Sequence, residues 1–117
     1  MEYKFIKSMV QLAHKMQLYH WNTMNRNRHQ DSGVFYNTLI SLNDKFVETY
    51  KGSNPEENIK IDIDITNSYR TDEQILETIL KVINFTKAQD FKDSALNTIR
   101  DEYLIELKRV YFLFRQH

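Results

Sequence analysis

The chain has 117 residues, with 16 basic and 16 acidic side chains, two glycines, one proline and no cysteine. That length fits one domain, and the balanced charge argues against an electrostatic grip on nucleic acid. Without cysteine there are no disulfides, zinc fingers or thiol chemistry.

So few turn residues favour long helices over a sheet. The opening, MEYKFIKSMVQLAHKM, is charged and periodic, and no apolar run approaches membrane-span length. No membrane segment or signal peptide is expected, and the expected setting is the cytoplasm of the producing or host cell.

The spacing predicts a first helix over about 4–23. Phe5, Met9, Leu12, Met16 and Tyr19 recur on one face, with Ile6, Ala13 and His20 beside them. Residues 24–28 read as a short turn, with Arg26 and Arg28 solvated. A second helix follows over about 29–51, with a core stripe of Phe35, Leu39, Leu42 and Phe46 and with Gly52 as its stop.

Residues 52–70 form the long connection. Ile59, Ile61, Ile63 and Ile65 alternate with polar residues, as in a strand. A lone strand has no partner, so an extended segment with inward isoleucines is expected. Thr71 and Gln74 then read as a capping box opening a third helix to about 88, with Ile75, Leu76, Ile79, Leu80 and Ile83 inward. The last helix spans about 91–115, with Ala95, Ile99, Tyr103, Val110 and Phe114 inward. The order of short, long and short links predicts an all-α four-helix bundle with one long crossover between helices two and three, the ferritin-like arrangement.

His20-Trp21, His29, Asp44 and Glu48 carry the chemistry. Two imidazoles and two carboxylates, with no thiolate, make a donor set for a first-row transition metal such as iron or zinc. Asp44 lies roughly 160–180° around the second helix from its core stripe, on a side that also holds Ile40, Val47, His29 and Gly33. Apolar groups, a histidine and two acids on one outer face predict a second buried surface, such as a subunit interface. Asp44 is fifteen residues beyond His29, about 22 Å along the axis. One subunit therefore does not easily gather all four groups. Two subunits packed antiparallel through helix two would, with the histidines of one meeting the acids of the other. A homo-oligomer, at least a dimer, is the expected state.

Each residue also has a plainer reading. His20 is then a hydrogen-bonded core histidine, Trp21 a packing plug beside the site, and Asp44 with Glu48 a solvated acidic pair. Glu102 and Glu106 form a secondary set on the inner side of the last helix, either paired with lysine or arginine or part of an intrasubunit metal site.

The run His20-Trp21-Asn22, His29 and Asp44-Lys-Phe-Val-Glu48 resembles the ferritin-like superfamily, in particular its Dps-type miniferritins. That resemblance covers residues 12–52. Over most of the chain, Asp101-Glu102 included, the pattern is closer to small ferritin-like proteins of bacteriophages and large DNA viruses. The resemblance implies intersubunit iron binding and a ferroxidase-type step, Fe(II) to Fe(III), with His20, His29, Asp44 and Glu48 as ligands. If the chain is virus-encoded, the compartment is the host cytoplasm.

Gly33 stands where Dps proteins usually carry a further carboxylate, and Asp31 lies on a different face. The turn between the histidines is shorter, and both the crossover helix and the lysine-rich tail of DNA-binding members are missing. The alternative is a non-enzymatic helical oligomer: a structural module, or one that binds a host protein or sequesters a small ligand.

Overall fold

The computed structural model describes residues 2–117. Four helices follow in order: α1 Glu2–Asn22, α2 Arg26–Ser53, α3 Asp72–Lys87 and α4 Ser94–Arg115. Each buries one stripe at helical spacing. The stripes are Phe5, Met9, Leu12, Met16 and Tyr19 on α1, and Phe35, Leu39, Leu42 and Phe46 on α2. Ile75, Ile79 and Ile83 serve α3, and Leu96, Ile99, Tyr103, Leu107, Val110 and Phe114 serve α4. Burying each such side chain stabilises the fold by about 1.5–3 kcal/mol before entropic costs. The result is an all-α four-helix bundle in a 44 × 26 × 20 Å envelope. Among the described residues no helix is long and apolar enough to cross a membrane.

Helix α1 packs on α2, α2 on α4, α4 on α3, and α3 on α1. One buried cation shows how the helices run. Arg28, in the first turn of α2, is 7% exposed. Its Nε and Nη2 donate to the Phe114 carbonyl at 3.1 and 2.8 Å, at the end of α4. Its Nη1 donates to the Tyr19 hydroxyl at 3.1 Å, near the end of α1, and to the Asp72 carbonyl at 2.7 Å, at the start of α3. Helices α2 and α3 therefore begin at the same end of the bundle, and the link between them runs its length.

Arg28 corrects the reading of a solvated turn. Asn25 caps α2, its side chain accepting from the Arg28 amide at 3.1 Å, so the helix starts three residues before His29. That start turns Arg28 inward with the core stripe. Asp72 completes the cluster by accepting from Tyr19 at 2.7 Å and from Thr23 at 2.8 Å. The Tyr19 hydrogen bond, then those of Thr23 and the charge of Arg28, hold the Asp72 carboxyl below its ordinary range against the opposing effect of burial. Burial is the main reason the Tyr19 phenol stays protonated above its ordinary range, as its donor role requires.

The opposite end is apolar. Phe5 packs against Phe46, Phe91 and Tyr103 at ring-centroid distances of 4.8, 5.3 and 5.2 Å. Phe91 lies outside the last helix, which starts at Ser94 rather than 91, because Asp93 is the N-cap and bonds the Ala95 amide at 2.8 Å. Asn97 holds the Phe91 backbone from both sides, accepting from its N–H at 2.8 Å and donating to its carbonyl at 2.7 Å.

Smaller corrections follow from the same packing. Helix α2 runs through Gly52 to Ser53 and is capped by Asn54, so Gly52 takes no left-handed stop. Leu80 and Ala95 face outward; the adjacent core positions are Ile79 and Leu96. The connection over 54–71 forms no strand and lies along the bundle, with Ile59, Ile61 and Ile63 half-buried. Ile65 is 55% exposed, where the chain leaves the groove before Ser68 buries. The capping box is as read: Thr71 Oγ1 accepts from the Gln74 amide, and Gln74 Oε1 accepts from the Thr71 amide.

Replacing Arg28 with Met should destabilise the protein by about 3–5 kcal/mol, because the helix-end carbonyls and Asp72 would lose their partner inside the fold. Denaturant unfolding checks this, and Lys should not rescue, lacking the planar fork. Asp72→Asn should lower the melting temperature at pH 7. Because the folded-state pKa is depressed, the contribution of Asp72 is present above the unfolded value of about pH 4 and is lost as pH falls through and below it. Melting curves of the two proteins should therefore converge in acid.

Candidate metal centre

His20 ends α1 and His29 lies in the second turn of α2, and the hairpin brings them face to face. The rings stack with centroids 4.0 Å apart and planes 15° from parallel. His20 Nδ1 lies 2.6 Å from the His29 carbonyl, and His29 Nδ1 lies 2.7 Å from the His20 carbonyl. A carbonyl only accepts, so each Nδ1 carries the proton and, in the neutral ring, each Nε2 carries the lone pair. Ser32, fully buried, supports the lock: its hydroxyl donates to the His29 carbonyl at 3.0 Å and lies 3.2 Å from His20 Nδ1. A backbone carbonyl on one ring nitrogen is the usual way a ligating histidine is oriented, leaving the other nitrogen for a cation.

Gly33 is part of this geometry. A Cβ built there would sit 2.8 Å from His20 Cε1 and 3.2 Å from Nδ1. The missing side chain is the space the imidazole occupies. The sequence marks Gly33 only as a gap in a donor pattern; the tertiary packing gives it a steric reason.

Asp44 and Glu48 are exposed on α2, beside Ile40 and Val47. Asp44 lines a shallow cleft of about 200 Å³ with Val10, His14, Tyr36, Ile40 and Asn43. His14 is a residue the sequence reading passed over. Its signal is its place on the α2 side of α1, outside the core stripe, where it shares that cleft with Asp44. Beneath the cleft, Tyr103 donates to Asn43 Oδ1 at 2.7 Å. Burial, then the charges of Asp44 and Glu102, push the Tyr103 phenol far above its ordinary range, so it stays a hydrogen-bond donor.

The four predicted ligands are not drawn together within one chain. His20 pairs with His29 at the hairpin end, while Asp44 and Glu48 lie farther along α2. Among the described residues no group of three or more histidine or acidic side chains is placed to hold a metal ion. Glu102 takes the plainer of its two readings: both carboxylate oxygens accept from Lys45 Nζ at 3.1 Å. Glu106 lines a cleft with Asp31, Phe35 and Arg109 between α2 and α4. Trp21 is 64% exposed and so is not the expected packing plug; the residue after His20 faces outward at the end of α1. Met24, in the turn, is 95% exposed.

Comparison with protein-family models, curated proteins and solved structures finds no match.

The role given to Gly33 has a measurable sign. In an unobstructed helix, Gly→Ala stabilises by about 1 kcal/mol. Gly33→Ala should forfeit that gain, because the new methyl collides with His20. In a His20→Ala background the same change should recover about 1 kcal/mol. A double-mutant cycle read by denaturant unfolding gives the answer; equal effects in both backgrounds would refute the steric role.

Proposed function

We propose that this chain binds iron, or another divalent first-row metal such as zinc, at sites completed by a second copy of itself. The observation that carries the proposal is the histidine pair. Two rings held by reciprocal Nδ1 hydrogen bonds to backbone carbonyls share a tautomer that leaves both Nε2 atoms free as donors. The donor set of imidazole and carboxylate suits such metals.

In this reading His20 and His29 of one protomer supply neutral nitrogen donors. Asp44 and Glu48 of another supply anionic oxygens, in an antiparallel pairing through α2. Support for a covered face comes from Ile40 and Val34, 41% and 62% exposed on the same helix. Burying two like charges is costly without a cation between the partners. By the resemblance to the ferritin-like superfamily, the reaction is oxidation of Fe(II) to Fe(III), with O₂ or peroxide as electron acceptor. The carboxylates would favour the ferric product, and the histidines, already locked, would need little reordering on binding.

The same exposed apolar residues, with Trp21 and Met24, also suit a second reading: an oligomer that serves a structural or partner-binding role without metal. The two separate cleanly. Protein purified without chelator, assayed by elemental analysis and light scattering, should be an oligomer with stoichiometric iron or zinc. Glu48→Ala should lose the metal at least about tenfold while keeping its helical fold. Metal-free protein in both samples, after Fe(II) loading, would sink the metal reading.

A further inference from the structure

A cationic cleft lies on the opposite flank of α1, between α1, α3 and the end of the crossover. It encloses about 400 Å³ and is lined by Lys15, Tyr69, Arg70, Glu77, Thr78 and Lys81, among others. That volume is in the range of small-molecule sites. It does not involve the histidine pair or the acids of α2.

The charges in the cleft are unbalanced. Glu77 is taken by Lys81, four residues on, at 3.3 Å. Among the described residues, neither Lys15 nor Arg70 has a carboxylate within 4.0 Å. Arg70 is instead held by neutral acceptors. Its Nε donates to Thr78 Oγ1 at 3.1 Å, and its Nη1 donates to the Tyr69 carbonyl at 2.8 Å and to the Asn67 carbonyl. Those bonds fix the guanidinium without neutralising it, and Nη2 has no protein acceptor among them. Lys15, half-buried, is depressed below its ordinary range, first by burial and then by the charge of Arg70. A half-buried lysine beside an arginine, with no carboxylate at hand among the described residues, is an arrangement that an anion relieves.

We propose that this cleft binds a phosphate monoester carrying a planar ring, the nucleoside monophosphate class. A monoester carries a charge of about −1.5 to −2 at pH 7, which matches the two unpaired cations. The free Nη2 of Arg70 can donate to phosphate oxygens, and Lys15 adds a point charge. The cleft is larger than a bare phosphate needs. Tyr69, 55% exposed on its lip, offers an aromatic face for the ring.

The test is a titration of the whole chain with AMP, inorganic phosphate and adenosine, followed by amide NMR shifts. AMP should saturate, moving Lys15, Arg70 and Thr78. Phosphate should bind at least about tenfold more weakly, and adenosine should not saturate. Among the described residues Lys15 makes no hydrogen bond or ion pair, and its charge is disfavoured by burial and by Arg70, so Lys15→Gln should not lower the melting temperature and should weaken AMP about tenfold or more. Tyr69→Ala should narrow the gap between AMP and phosphate. AMP affinity should rise as pH passes about 6, the second phosphate ionisation. Absence of saturable AMP shifts by about 5 mM, phosphate binding as tight as AMP, or an unchanged AMP affinity in folded Lys15→Gln protein would each overturn the proposal. None of these outcomes depends on metal binding.

Discussion

Everything at one end of this bundle depends on a single guanidinium. Arg28 reaches the end of α4, the hydroxyl of Tyr19 on α1 and the first carbonyl of α3 from the first turn of α2. A helix terminus leaves backbone groups unpaired, and a positive charge belongs at the carbonyl end. Arg28 meets that need for α4 while tying in the other three helices. A buried ion is expensive unless its hydrogen bonds are made, and here the partners come from each of the other three helices. The interaction therefore does more than add stability: it admits only an arrangement in which α1 and α4 end where α2 and α3 begin. The crossover must run the length of the bundle for that to hold.

The same constraint sets the hairpin that holds the histidines. Tyr19 and His20 are adjacent, as are Arg28 and His29. When Arg28 bonds Tyr19 inside the bundle, the next residue on each helix is carried to the outer groove between α1 and α2. There the two rings stack and exchange hydrogen bonds with each other's backbone. Ser32 and Gly33 supply a hydroxyl and an empty space at the following turn. The polar lock inside and the imidazole pair outside are thus two faces of one helix junction. Changes at the buried face should reach the histidines through a few covalent bonds.

The α1/α2 flank and the α1/α3 flank differ in chemistry. One carries imidazoles, carboxylates and exposed aliphatic side chains; the other carries Lys15 and Arg70, which among the described residues have no carboxylate within 4.0 Å. A net charge of zero for the chain conceals this division. Composition argues about the molecule as a whole, whereas binding depends on which charges lie next to each other.

The helices and their inward stripes were legible in the sequence, because burial needs a period close to the helical repeat and few glycines or prolines interrupt it. The Thr71 capping box was legible for the same reason: its chemistry is local. His20, His29, Asp44 and Glu48 could be proposed from residue type, the last three from one face of α2, but within one chain only His20 and His29 come together. What the sequence could not convey is which polar residue goes inside. Arg28 looks like any surface arginine near a turn, and its burial is decided by a cap at Asn25 and by acceptors up to 86 residues away. Nor could it show the stacked imidazoles, the room made by Gly33, or Lys15 beside Arg70, since each joins residues from separate elements. Periodicity determined the elements; the meeting of helix ends, where distant backbone groups must find partners, decided the rest.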